Sequence, residues 1–227
     1  DVPIDAGFVR SRIRDALRLR ERITPPNTDA IRLVHGEGDR IGGVSCDRYG
    51  EYAVLRIDGT GALAFRDAIV SALVEEGRLS GLLIKTGRRG ETRVELAHGA
   101  VPTEPLDVLE HGMHLLVDVW RGQKTGLFLD HRESRRVVRR VSEGMRVLNL
   151  YGYTGGFSIA AGLGGARKVD TVDVAEEALV FARESWAKNG LAPGLHDAIA
   201  EDVPRYLDEA RARAREWDLI VSDPRAS

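Results

Sequence analysis

The chain has 227 residues, 43% of them hydrophobic and 30% charged, with 25 Gly, 8 Pro and one Cys, which excludes a disordered segment, a collagen-like repeat and a disulfide-stapled miniprotein. The formal net charge of −2 hides an asymmetry: 26 Lys and Arg face 22 Asp and Glu up to residue 168, and 7 face 13 after it, which argues against a histone-like binder and makes the acidic end an unsuitable place for a polyanion. A lone Cys46, no apolar signal segment, and no apolar run near the ~18 residues of a membrane span predict a soluble cytoplasmic protein.

Residues 5–23 predict a helix, with Asp5 as its cap and Val9, Ile13, Ala16 and Leu17 at helical spacing, stopped by Thr24-Pro25-Pro26. Its six arginines, from Arg10 to Arg22, suit a solvated face or a track for a phosphate backbone. From residue 31 to 119 the pattern turns to short strands broken by glycine, at 31–34, 52–57, 82–85 and 93–96, with a hairpin of 106–110 and 114–119 and one helix near 63–75. This is a small α+β domain. The six histidines lack zinc-site spacing, so no metal is expected. Cys46 reads as a small apolar residue rather than a nucleophile, since no local base accompanies it.

After Trp120 comes a loop, residues 121–126, and then a helix over 130–141 in which Arg132, Arg135, Arg136, Arg139 and Arg140 share one face by spacing, with Val137, Val138 and Val141 opposite. A solvated face and a phosphate-binding stripe both fit. The remainder alternates: strand 146–150, helix 157–161, strand 168–173, helix 175–189, strand 196–200, helix 203–215, strand 217–222. Repeated βα units mean a parallel, doubly wound sheet whose ligands lie beyond the carboxyl ends of the strands.

Those ends carry the chemistry. Asn149 to Gly156 contains three glycines that let backbone N–H groups approach a ligand. Asp173, 24 residues after Asn149, is placed to take both hydroxyls of a ribose, and Glu201-Asp202 to accept from an adenine amino group, although each acid also suits a helix cap. Gly152, Gly155 and Gly156 do not match the G-x-G-x-x-G spacing of a nicotinamide site. Asp223-Pro224 after the fourth strand then points to a nucleoside cofactor without phosphates.

These residues resemble class I S-adenosylmethionine-dependent methyltransferases, and specifically the large-subunit ribosomal RNA cytosine-C5 methyltransferases of the RlmI type. Gly36-Glu37 and Asp47-Arg48-Tyr49-Gly50 look like that family's middle domain. Glu110-His111-Gly112-Met113, Gln123-Lys124-Thr125-Gly126 and Leu129-Asp130-His131-Arg132 look like its domain junction. Asn149 through Phe157, Val172-Asp173 and Asp223-Pro224 resemble its cofactor motifs. The resemblance implies a Rossmann-like class I sheet, with only its first half present, preceded by a small α+β domain that would hold the RNA substrate; the divisions are 1–30, 31–119 and 120–227. It implies S-adenosylmethionine contacts from Asn149, Tyr151, Tyr153, Thr154 and Gly155, the ribose on Asp173, the adenine on Asp202, and Lys124 with Thr125 closing the methionine side. Arg132, Arg135, Arg136, Arg139 and Arg140 would meet ribosomal RNA, and Asp223 with Pro224 would form the substrate-base loop.

The departures also carry expectations. The chain opens on Asp1 rather than Met, no RNA-binding PUA domain precedes it, and Asp223-Pro224 runs into Arg225-Ala226-Ser227 where the family reads a second proline and an aromatic. A longer gene product is expected, with the attacking cysteine of cytosine chemistry outside this sequence. Guanine N-methylation, which needs no cysteine, and a non-catalytic RNA-binding relic stay open as alternatives, as does a homodimer.

Overall fold

The computed structural model describes residues 4–87 and 92–224, and the tripeptide Arg225-Ala226-Ser227 lies outside them. The chain divides into two units: residues up to Leu109 with Val117–Leu129 form the first, and Glu110–Leu116 with residues from Asp130 onward form the second. The expected boundaries at 30 and 119 differ from these. The N-terminal helix is part of the first core, and the segment 120–129 folds with the first unit rather than with the later βα units.

In unit 1, helix α1 (Ala6–Ile23) begins where the Asp5 carboxylate accepts the Phe8 N–H at 2.8 Å, and it buries Val9, Ile13, Ala16 and Leu17. Strands β1 (Ala30–His35), β2 (Val44–Tyr49) and β3 (Tyr52–Ile57) are followed by a single turn α2 (Thr60–Leu63) and helix α3 (Arg66–Gly77). Strands β4 (Gly81–Thr86) and β5 (Arg93–Gly99) complete a sheet of order β1-β2-β3-β4-β5, antiparallel except at β3 and β4, which α3 connects. The apolar faces of α1 and α3 cover one side of it, over Leu33, Cys46, Leu55 and Leu82. Strand β2 is absent from the sequence-based expectation because Val-Ser-Cys-Asp-Arg-Tyr lacks a clean alternation. Its polar members are buried or half-buried and paired instead, Asp47 with Arg32 and Arg48 with backbone carbonyls.

Three of the six arginines of α1 pair with acids elsewhere in this unit. Arg10 and Arg14 both bind Glu76, the Arg14 hydrogen bond foremost in holding that carboxyl down at about 2, and Arg20 forms a fork with Asp39. Pairing within the fold accounts for these three, and Arg18 and Arg22 stand exposed.

Strands β6 (Leu106–Glu110) and β7 (Met113–Val117) form a two-stranded ribbon. Unit 2 continues with α4 (Arg132–Val141), β8 (Arg146–Leu150), α5 (Gly156–Leu163), β9 (Lys168–Asp173), α6 (Glu176–Lys188), β10 (His196–Ala200), α7 (Val203–Ala212) and β11 (Leu219–Ser222). The four strands β8 to β11 are all parallel in the order β10-β9-β8-β11. Helix α7 packs Val203, Tyr206 and Ala210 over Leu148, Leu150 and Val172. Residues 114–116 are tied to α6 by backbone bonds to Asn189 and Ser185. Strand order reverses at β8, which makes the carboxyl ends of β8 and β11 the switch point where open α/β sheets bind ligands. Among the described residues no helix is long and apolar enough to cross a membrane.

Candidate active site

The loop after β8 is unusual backbone. Tyr151 and Tyr153 have φ of 56° and 48° and Gly155 has 75°, three left-handed residues within five. For L-residues that region costs about 1 to 2 kcal/mol each, so the two tyrosines mark a conformation the surroundings enforce. Gly155 could not be replaced, because a Cβ there would sit 2.6 Å from the Ala182 Cβ on α6. Tyr151 is 36% exposed and Tyr153 half-buried, while Asn149 and Thr154 are buried.

Three strand ends meet here. Asp173, at the end of β9, accepts the Tyr153 N–H at Oδ2 and the Ala175 N–H at Oδ1, each at 2.9 Å, so it stitches the first loop to the second. The Glu201 N–H donates to the Asp173 carbonyl at 3.1 Å, which brings the third loop alongside. Asp202 caps α7 by accepting the Arg205 N–H at 3.2 Å and is exposed, as the helix-cap reading expected. A carboxylate offers about four lone-pair positions, so the two backbone bonds leave Asp173 room for further donors. Oxygen acceptors beside an open glycine turn suit a nucleoside with hydroxyls and an amino group, and they would repel a pyrophosphate.

On the other side of β8, Asp223 follows β11 and lies 3.1 Å from His131 Nε2, whose ring meets Phe157 at 5.7 Å. Spacing along the chain held no sign of this pair, since 92 residues separate the two. The same holds for the Arg135 guanidinium, which forks onto Glu110 at 2.7 and 2.6 Å with both side chains buried.

That fork corrects the expected arginine stripe. Arg135 and Val138 face inward, whereas Val137 and Val141 are 48% and 41% exposed, so the hydrophobic and basic faces are not the ones the spacing assigned. Arg135 is unavailable to RNA because its charge is neutralised inside unit 2. Arg139 donates to the His111 carbonyl at 3.2 Å, Arg132 lies 3.6 Å from Glu133, Arg136 pairs with Glu133 at 2.9 Å, and Arg136 and Arg140 are exposed.

Residues 70–227 match the family described as S-adenosylmethionine-dependent methyltransferase. The chain belongs to that family. It is 37% identical over 97% of its length to ribosomal RNA large subunit methyltransferase I of Shigella boydii, and 38% identical over 97% to the protein of that name from Klebsiella pneumoniae. It spans 58% and 57% of those relatives. A solved Streptococcus mutans protein described as SAM-dependent methyltransferase superposes with a TM-score of 0.91 at 28% identity, covering 99% of this chain and 60% of that one. A second structure, SMU.776, complexed with SAH, superposes equally well at 29% identity, covering 99% of this chain and 59% of its own.

As in the methyltransferase sheet expected from the sequence, the strand ends of unit 2 carry the acidic and glycine-bearing loops. Lys124 and Thr125 belong to unit 1. Thr125 is 2% exposed and donates to Asp47 at 2.6 Å, with the Tyr49 hydroxyl 2.8 Å away and itself accepting the Leu127 N–H. Lys124 is exposed and stands over the Phe128 ring at 4.3 Å. Lys85, missed in the sequence, secures the same loop from β4 by donating to the Gly122 carbonyl, and burial pushes its pKa down to about 8. Cys46 is wholly buried in the core of unit 1 and burial raises its pKa, which suits a packing role. Among the described residues no group of three or more His, Cys, Asp or Glu is arranged to hold a metal.

The environment of His196 gives a clear pH dependence. Burial, opposed by Asp197 and aided by Lys168 and Arg183, pushes it down to about 4. A histidine that is harder to protonate when folded stabilises fully above its unfolded pKa near 6.5, and that stability is lost as pH falls through 6.5 toward 4. The loss is on the order of 3 kcal/mol at most. Urea unfolding of the parent and of His196→Gln between pH 7 and 4 should show a steeper decline in the parent; parallel curves would show that the ring is hydrated.

Proposed function

We propose that the chain is the cofactor-binding part of a methyltransferase acting on large-subunit ribosomal RNA, with cytosine C5 as the acceptor. The observation that carries the cofactor assignment is Asp173, which ties the first loop to the second, beside the third loop with Asp202, at the carboxyl edge of a parallel sheet. Asp173 would hold the ribose hydroxyls and Asp202 the adenine amino group, with Tyr151, Tyr153, Thr154 and Gly155 forming the wall. Asn149, being buried, would act through the shape of that wall. S-adenosylmethionine, when bound, supplies an electrophilic methyl group on a sulfonium. Asp223 and Pro224 stand at the neighbouring strand end, where an acceptor base would enter. The ribosomal RNA substrate is supported by the name of the relatives from Shigella boydii and Klebsiella pneumoniae, and cytosine C5 by the sequence resemblance.

Isothermal titration should detect S-adenosylmethionine or S-adenosylhomocysteine and no NAD. NAD binding of equal strength would overturn the assignment. For the RNA surface we propose Arg136 and Arg140, with Arg132 and Arg139 beside them, in place of the full stripe. Replacing Arg136 and Arg140 by Gln should lower RNA affinity and reduce the slope of log affinity against log salt by about 2, since two phosphate contacts fewer release fewer counterions. A slope equal to the parent's would assign these arginines to a solvated face.

A further inference from the structure

Beneath the loop that follows β8, four polar side chains form one continuous chain of hydrogen bonds. Asn149 Nδ2 donates to Ser158 Oγ at 2.8 Å, the Ser158 and Thr171 hydroxyl oxygens lie 2.6 Å apart, and Thr171 Oγ1 lies 2.7 Å from His196 Nε2. Asn149 and Thr171 are register partners on β8 and β9, Ser158 reaches them from α5, and His196 opens β10. Asn149, Ser158 and Thr171 are almost entirely removed from solvent, where a polar group without a partner is costly.

Counting protons gives the chain a direction. Asn149 donates into Ser158, so the Ser158 hydroxyl can give its own proton to Thr171, and Thr171 its proton to His196 Nε2. Both hydroxyl protons then lie within the chain. In the opposite order, Nε2–H would donate to Thr171 and Thr171 to Ser158, which leaves the Ser158 proton without a place in the chain. In the first order His196 is a neutral ring that accepts at Nε2 and carries its proton at Nδ1. Its ring is stacked on Trp186 at 4.6 Å, and the Trp186 Nε1–H is fixed on the Ala192 carbonyl at 3.0 Å.

The loop rests directly on this chain. A Cβ at Gly152 would strike the Thr171 Cγ2 and come within 2.9 Å of Asn149 Nδ2, and the Gly152 N–H is held by the Val172 carbonyl at 3.1 Å. Any shift of Asn149 or Thr171 is transmitted to the turn that begins the loop.

We propose that Ser158, Thr171 and His196 are positioning residues for cofactor binding: a one-way hydrogen-bond chain ending on His196 Nε2 orients Asn149 and fixes the Gly152 turn from below. The proposal rests on the reading of that loop as the cofactor site. Thr171→Val keeps the shape and removes the hydroxyl, and Thr171→Ser keeps the hydroxyl. With the full chain and S-adenosylhomocysteine as the titrant, the valine variant should bind at least tenfold more weakly, and the serine variant within threefold of the parent. Nitrogen-15 NMR of the parent should show His196 protonated at Nδ1, with its signals moving when S-adenosylhomocysteine is added. A folded valine variant that binds within twofold of the parent overturns the proposal, as does a parent His196 protonated at Nε2. If the valine variant does not fold, the tautomer in the parent decides. A parent that binds no S-adenosylhomocysteine overturns the reading of the loop itself, a result distinct from a parent and valine variant that bind equally well.

Discussion

Replacing Glu110 by Ala is expected to destabilise unit 2 by about 3 to 5 kcal/mol, the cost of leaving one member of a buried ion pair without its partner. Glu110 is 0% and Arg135 5% exposed, and the two parallel hydrogen bonds of 2.7 and 2.6 Å leave no room for water to take over. The consequence reaches the site through packing. Arg135 Cδ lies 3.1 Å from where a Cβ of Gly156 would stand, and its guanidinium faces the Phe157 ring at 5.9 Å, so the fork holds the first turn of α5. That turn follows the loop of Tyr151 to Gly155. Urea unfolding followed by the fluorescence of Trp186 and Trp217 reads the effect, and the pair Glu110→Leu with Arg135→Met should recover most of the loss, because two apolar side chains leave no buried charge. A single substitution costing under about 1 kcal/mol would mean that the fork behaves as an exposed pair.

Replacing Asp173 by Ala should weaken S-adenosylmethionine binding by on the order of 1.5 to 3 kcal/mol, roughly 10- to 150-fold, as hydrogen bonds to a charged acceptor are removed. Two contributions combine. The ribose would lose its acceptor, and the Tyr153 and Ala175 N–H groups would lose theirs, which frees a loop whose left-handed tyrosines need external support. Asp173→Asn separates them, since an amide oxygen keeps one backbone bond. If only loop support matters, Asn should restore part of the affinity; if the charge on the ribose dominates, Asn should bind nearly as poorly as Ala. Titration of the three proteins with S-adenosylhomocysteine measures both, and an unchanged affinity in Asp173→Ala would remove the residue from the site.

Much of unit 2 was legible along the chain. Strands at 146–150, 168–173 and 196–200 agree with β8, β9 and β10 because each is a short segment bearing Val, Leu, Ile or Ala between helical stretches, and the order of βα units dictates a parallel sheet. The helix caps at Asp5 and Asp202 were legible for the same reason, since a cap acts on an N–H three residues away. Local order therefore determined the fold class, the sheet and the strand ends at which chemistry could sit. Tertiary structure decided which polar residues are free. Arg135 and Arg140 stand at the two edges of one arginine stripe in a helical projection, yet one is buried on Glu110, 25 residues earlier, and the other is exposed. Strand β2 could be recognised only once Arg32 was seen to neutralise Asp47, and the Asn149 to His196 chain only once three strands and α5 were in register. Burial turns a polar side chain into a structural one whenever a partner arrives, and the partner's distance along the sequence leaves no periodic trace.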